Sequence, residues 1–312
     1  MSKITIVGAG NVGATCANVI AQRELATELV LLDVKEGFSE GKAMDIMQTA
    51  DLCEFDTRIT GVTNNYNATT NSDVVIVTSG IPRKPGMTRE ELIGTNAGIV
   101  KSVVSEALKH SPNAVFVIIS NPMDTMTYLT LKTLQLPKNR IIGMGGMLDS
   151  SRFKYYLSKA LNVPIRDIQG TVIGGHGDTT MIPLPRFATY NGIPVCELLP
   201  KEMLDKVISD TMVGGATLTK YLGTSAWYAP GAAGALLTES IIRDQMKVFP
   251  CCVALDGEYG QKDICIGVPV VIGKSGWEKI IDLKLNADEQ AVFDKSADTV
   301  RSTNNVLKEL NF

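Results

Sequence analysis

The stretch Lys3-Ile4-Thr5-Ile6-Val7-Gly8-Ala9-Gly10-Asn11-Val12-Gly13 constrains the fold of this chain more than any other. Ile4, Ile6 and Val7 are β-branched and apolar in close succession, the pattern of a strand buried in a parallel sheet. Gly8, Gly10 and Gly13 then match G-x-G-x-x-G, and Val12, Cys16, Val19 and Ile20 follow at helical spacing. The three glycines allow a tight turn, close backbone approach to a pyrophosphate, and close packing of helix on strand. The helix start adds unpaired N–H groups and partial positive charge for the phosphates. Such a motif also occurs as an ordinary glycine-rich turn, so its context matters. A second strand, Leu29-Val30-Leu31-Leu32, ends at Asp33, twenty residues beyond Gly13. A carboxylate there accepts hydrogen bonds from an adenosine ribose and repels a 2′-phosphate, which predicts a dinucleotide site preferring NAD to NADP.

The alternation of strand and helix continues. Residues 38–52 read as one helix with Ala43, Met44, Met47 and Ala50 on one face. Strands are expected at 58–62, 73–80 (ending at Gly80), 114–119 (running into Ser120-Asn121-Pro122) and 140–143, with a helix over 124–134. Between them, the prolines and glycine of Ile81-Pro82-Arg83-Lys84-Pro85-Gly86-Met87-Thr88-Arg89 predict a cationic loop. Thr88 and Glu91 form a capping box for a helix that buries Ile93, Ala97, Val100, Val104 and Ala107. The fold class is therefore α/β, a right-handed doubly wound parallel sheet. Ligands bind such sheets at the carboxyl ends of strands, where Gly8, Asp33, Gly80 and Asn121 all fall.

The pattern changes after Gly143. A helix over 149–161 and a strand over 168–173 lead into Gly174-Gly175-His176-Gly177-Asp178. Long helices at 201–222 and 229–245, strands through 247–273, and a final helix capped by Asn286 and Glu289 complete a mixed α+β half. At 312 residues the chain suits two domains, here 1–145 for the dinucleotide and 146–312 for the substrate. A net charge of −3 gives no basic field for nucleic acid or an anionic membrane. No apolar run is long enough to span a membrane and the N-terminus lacks a signal-peptide pattern, so a cytoplasmic location is expected. The six cysteines show no C-x-x-C spacing and read as reduced core residues.

Only two histidines are present. His110 falls at a helix C-terminus, where an imidazolium complements the dipole. His176, flanked by glycines at the end of an apolar strand, falls where a substrate half meets a nicotinamide. Two histidines without paired cysteines offer no metal-ligand set. Oxidation of an alcohol by a nicotinamide needs a base for the hydroxyl proton, and imidazole is suited to that role. Asp149 is the candidate carboxylate to orient it. Arg152, at i+3 on the same helix, offers a fork for a substrate carboxylate. An intrahelical ion pair accounts for Asp149 and Arg152 equally well.

Taken together, Gly8 to Gly13, Arg83 to Arg89, Ser120-Asn121-Pro122, Leu148-Asp149-Ser150-Ser151-Arg152 and Gly175-His176-Gly177-Asp178 resemble the lactate/malate dehydrogenase superfamily, in order and from residue 3 to the final helix. Within it the chain is most similar to the lactate-dehydrogenase-like malate dehydrogenases. The resemblance implies reversible hydride transfer between (S)-malate and NAD, with His176 and Asp149 as the proton relay. Arg152 would hold the C1 carboxylate, Arg89 would polarise the C2 oxygen as the loop closes, and Asn121 would orient substrate and nicotinamide. The implied NAD contacts are Gly8, Gly10, Asn11, Val12, Gly13, Asp33, Gly80, Asn96 and Asn121. Arg83 stands where lactate enzymes carry glutamine, which implies a dicarboxylate substrate. Ala226 stands where they carry threonine, leaving room for it. A homodimer or homotetramer is implied. The alternatives are a lactate or other 2-hydroxy-acid dehydrogenase, an NAD- and metal-dependent family 4 glycoside hydrolase, and a non-catalytic NAD-sensing module.

Overall fold

The computed structural model describes residues 2–82 and 86–312; Arg83, to which the sequence assigns substrate choice, lies outside the described residues. The first half runs β1 (Lys3–Val7), α1 (Asn11–Gln22), β2 (Glu28–Asp33), α2 (Phe38–Met47), α3 (Ala50–Cys53), β3 (Arg58–Thr63), β4 (Val74–Val77), α4 (Arg89–His110), β5 (Val115–Ile118), α5 (Met123–Leu134) and β6 (Ile141–Gly143). The second half runs α6 (Gly145–Leu161), β7 (Ile168–Gln169), β8 (Val172–Gly174), β9 (Met181–Pro183), β10 (Thr189–Tyr190), β11 (Ile193–Pro194) and α7 (Val195–Leu198). It continues with α8 (Lys201–Met212), α9 (Gly214–Leu222), α10 (Tyr228–Ile242), β12 (Lys247–Asp256), β13 (Lys262–Gly273), β14 (Gly276–Ile280) and α11 (Ala287–Glu309).

The first six strands pair in parallel in the order β3-β2-β1-β4-β5-β6. Their apolar runs are explained by burial on both faces. Ile4, Ile6, Leu29, Leu31, Ile76 and Val117 face one core cluster, which includes Ala17 and Ile20 of α1 and Leu237 of α10. Val7, Leu32, Val75, Val77, Phe116 and Ile118 face another, lined by Ile93, Ala97 and Val104 of α4 and Met126 and Leu129 of α5. The strand order reverses between β1 and β4, which opens a crevice at their carboxyl ends, the binding place in such sheets.

The sheet does not stop at β6. Cys252 of β12 pairs antiparallel with Gly143, and the order continues β12-β13-β8-β9, with β14 sharing with β8 the edge of β13 that faces away from β12. A small sheet of β11-β10-β7 lies apart. Both capping boxes are formed: Thr88 with Glu91 at α4, and Asn286 with Glu289 at α11.

Four sequence expectations are corrected. Residues 38–52 form two helices, because the Thr49 hydroxyl donates to the Ile46 carbonyl at 2.7 Å and the chain turns. The buried face of α2 is Ser39, Ala43 and Ile46, while Met44 is exposed. The strand expected over 168–173 is two strands in different sheets, and between them Gly170 lies against the Phe153 ring. The long helix expected over 201–222 breaks at Val213. Of the six cysteines, Cys53 and Cys196 are exposed because their four-residue helices bury little; the other four are buried.

Candidate active site

The β1–α1 turn is shaped as its glycines dictate. Gly8 sits at φ +111°, its N–H donates to the Leu32 carbonyl at 2.8 Å, and its own carbonyl accepts from Thr78 Oγ1 at 2.9 Å. A Cβ at Gly13 would lie 1.9 Å from the Gly8 carbonyl oxygen, so only glycine lets α1 approach β1 this closely. A Cβ at Gly10 would meet nothing within 4 Å, and Gly10 caps α1 with no side-chain bond to the helix. Space and unclaimed N–H groups thus coincide at Gly10, Asn11 and Val12, as a pyrophosphate requires. Asp33 faces the same turn. Its Oδ2 accepts from the Ala9 N–H at 2.7 Å and its Oδ1 from the Lys35 N–H at 3.0 Å. Each oxygen keeps a lone pair for a ribose hydroxyl.

At the next strand ends, Gly80 and Asn121 are joined through Asn96. The Asn96 side chain is 2 % exposed. Its Oδ1 accepts from Ile81 N at 2.8 Å, and its Nδ2 donates to the Ile81 and Asn121 carbonyls at 3.2 and 2.8 Å. The amide is engaged with backbone on both sides, so it ties the loop that carries Gly80 to the one that carries Asn121. The Asn121–Pro122 peptide is cis.

The candidate acid–base group lies across the crevice. His176, near the start of the loop after β8, places Nδ1 2.8 Å from Asp149 Oδ2, and Arg152 Nη1 donates to Asp149 Oδ1 at 3.2 Å. The side chains of Asp149, Arg152 and His176 are 2 %, 14 % and 15 % exposed. One buried carboxylate therefore serves both the intrahelical ion pair and the histidine. With Nδ1 donating to Asp149, Nε2 is the ring nitrogen left to exchange a proton. Burial pulls the His176 pKa down, but the Asp149 charge and hydrogen bond, with Asp124, more than offset this, and the net shift is above the usual imidazole value.

A cavity of about 250 Å³ brings Val12, Asn121, Arg152 and His176 together with Gly215, Ser225 and Ala226. The Arg152 Nε is buried there without a partner. Arg89 is not in this cavity. It lines a second one behind His176 with Asp124, Asp178 and Thr303, and its Nη2 donates to Thr303 Oγ1 at 2.7 Å. Asp33 stands apart at the other end of the crevice. Sequence reasoning passes over Asp124, whose Oδ2 accepts from the His176 N–H at 2.6 Å, and Ser296, whose Oγ accepts from the Gly175 N–H at 3.0 Å. An aspartate in the first turn of a helix reads as a complement to the helix dipole, so only its closeness to Asn121-Pro122 signals more. Among the described residues no three His, Cys, Asp or Glu side chains gather as a metal site would need.

Comparison with known proteins agrees with this geometry. Residues 2–143 match the family model for the lactate/malate dehydrogenase NAD binding domain, and residues 146–310 match that for its alpha/beta C-terminal domain. The chain is 69% identical over 310 residues to malate dehydrogenase from Parabacteroides distasonis, covering 99% of each. Its structure superposes on that of malate dehydrogenase from Salinibacter ruber with a TM-score of 0.95 at 42% identity, covering 99% of this chain and 98% of that one. It superposes on lactate dehydrogenase from Cryptosporidium parvum, complexed with lactic acid and β-nicotinamide adenine dinucleotide, with a TM-score of 0.94 at 35% identity over 98% of both. The glycine turn with the Asp33 carboxylate beside it and the His176–Asp149–Arg152 chain lie on a fold shared along its whole length with these enzymes, and the chain belongs to the lactate/malate dehydrogenase family.

Proposed function

We propose that this chain is an NAD-dependent malate dehydrogenase that interconverts (S)-malate and oxaloacetate. The observation that carries the reading is the hydrogen-bonded chain from Arg152 through Asp149 to His176, opening on the cavity that also contains Val12 and Asn121. NAD supplies the hydride acceptor. Gly8, Gly10, Asn11, Val12 and Gly13 hold its pyrophosphate and Asp33 its adenosine ribose, while Gly80 and Asn121, kept in place by Asn96, hold the nicotinamide end. Arg152 binds the C1 carboxylate through donors that the protein leaves unpaired. His176 Nε2 takes the hydroxyl proton, and Asp149 stabilises the resulting imidazolium without itself being protonated. Arg89 leaves Thr303 to reach the C2 oxygen. Residues 1–145 then serve the cofactor and 146–312 the substrate.

Substrate choice is assigned to Arg83. The lactate dehydrogenase neighbour has the same fold, so overall shape does not separate a dicarboxylate from pyruvate. An arginine closing over the cavity does. It pairs with a C4 carboxylate for about 1.5–3 kcal/mol net, whereas a methyl group would leave the guanidinium buried without a partner. The enzyme is further proposed to be cytoplasmic and a homodimer or homotetramer; no helix among the described residues is long and apolar enough to cross a membrane.

The test is NADH oxidation with oxaloacetate and with pyruvate, by the wild type and by Arg83→Gln. The wild type should prefer oxaloacetate by about 10⁴-fold or more, as a site with an otherwise unpaired polar group can. The variant should lose much of kcat/KM for oxaloacetate and gain for pyruvate, with NADH affinity little changed. A preference that moves by less than about tenfold, or about 1.4 kcal/mol, would falsify the assignment of Arg83.

A further inference from the structure

His176 stands between two glycines, so the loop that carries it has little conformational preference of its own. Both neighbours are held to glycine by packing: a Cβ at Gly175 would lie 2.7 Å from Val300 Cγ2, and one at Gly177 would lie 3.0 Å from Thr180 Oγ1. Something outside the loop must then fix where the imidazole starts. Two contacts do so. Ser296 of α11 accepts from the Gly175 N–H, and the Asp124 carboxylate accepts from the His176 N–H at 2.6 Å. Asp124 is 7 % exposed, and besides the His176 N–H its carboxylate has the buried Cys252 thiol as a hydrogen-bonding neighbour. It begins α5 directly after Asn121 and Pro122, so it ties the loop of the acid–base histidine to the strand end that faces the nicotinamide.

A buried carboxylate is an expensive way to bind one backbone N–H, since a neutral side chain would satisfy the same donor. Its charge therefore needs its own explanation. We propose that Asp124 is a positioning residue for His176, pinning its backbone to the start of α5 and stabilising the imidazolium with a second buried negative charge. This rests on the reading of His176 as the proton acceptor. The groups around the imidazole are Asp149 and Arg152 of α6, Asp124 of α5, Arg89 of α4 and Asp178 of its own loop; the thiols of Cys252 and Cys265 on β12 and β13 lie near Asp124. Asp149 grips the ring and Asp124 the backbone, from helices in the two halves of the chain.

Asp124→Asn keeps an oxygen for the His176 N–H and removes the charge. Its expected effect is to lower the pH at which His176 loses its proton. Oxaloacetate reduction, which needs the imidazolium, should begin to fail at lower pH, and malate oxidation, which needs neutral His176, should turn on at lower pH. Both limbs should move down by about half a unit or more, so that reduction above the midpoint falls about threefold, with KM for NADH unchanged. An unshifted profile in Asp124→Asn, alongside loss of activity in His176→Asn, overturns the positioning role alone. Retained activity in His176→Asn overturns the reading beneath it, and this role with it. A measurement on the wild type covers the case where Asp124→Asn does not fold. Labelling histidine with ¹⁵N gives two backbone amide signals, from His110 and His176, and His176→Asn assigns them. The His176 amide should be shifted downfield and exchange about a hundredfold or more slower than an unstructured amide. Exchange at the unstructured rate means there is no pin and overturns the proposal.

Discussion

At His176, competing effects on one ring have a definite sum. Burial disfavours the imidazolium, the carboxylates of Asp149 and Asp124 favour it, and Arg152 opposes them, leaving the proton held above the usual imidazole pKa. The sign for activity follows. Below that pKa the ring is protonated and ready to donate to oxaloacetate; above it the ring is neutral and ready to accept from malate. Oxidative kcat should rise with pH through a midpoint above about 6.5, and reductive kcat should fall through the same midpoint. Paired pH–rate profiles in the two directions check this, and midpoints that do not coincide would contradict a single titrating base. His176→Asn should cost about 10²–10⁴-fold in kcat, the usual share of positioned acid–base catalysis, while NADH still binds by fluorescence titration. The sequence exposes Asp149 and Arg152 through their spacing, but not that one carboxylate serves both partners.

At the scale of the element, the start of α4 presents Arg89 to α11, whose Thr303 hydroxyl accepts its guanidinium. If Arg89 must leave that partner to reach substrate, the bond opposes closure. A hydrogen bond to a charged group contributes about 1.5–3 kcal/mol, so Thr303→Val should raise kcat/KM for oxaloacetate by about tenfold up to about a hundredfold, with KM for NADH unchanged. Steady-state kinetics decide it, and a fall in kcat/KM would mean that Thr303 guides Arg89 inward. Both capping boxes, at Thr88 and Asn286, are legible because they are written in four consecutive residues. The break at Thr49 is not, since it depends on a hydroxyl taking a carbonyl that the helix would otherwise use. Nor is the change of sheet at Gly170, which follows from the position of Phe153, distant in sequence.

For the whole molecule, the joint between the halves is a sheet rather than a linker. Gly143 pairs with Cys252, and a Cβ at Gly143 would lie 2.3 Å from Met123 Sδ, so β6, α5 and β12 meet without spare room. Such a joint predicts that the halves unfold together. Calorimetry should show one transition, which saturating NADH moves upward as a unit by mass action; two resolved transitions, only one of them responsive to NADH, would show that the halves are energetically separate. The alternation of strand and helix through the first half, the dinucleotide turn and the candidate base were determined by the sequence alone. Each rests on hydrophobic period, turn chemistry or a motif within a few neighbouring residues, where local sterics and solvation decide the outcome. Asp149 is already a candidate partner for His176 in the sequence, but the pairings Asp124–His176 and Arg89–Thr303 span 52 and 214 residues. They were decided only by the tertiary structure, because which side chains meet depends on the lateral order of strands and the helices laid across them, and local patterning carries no record of that order.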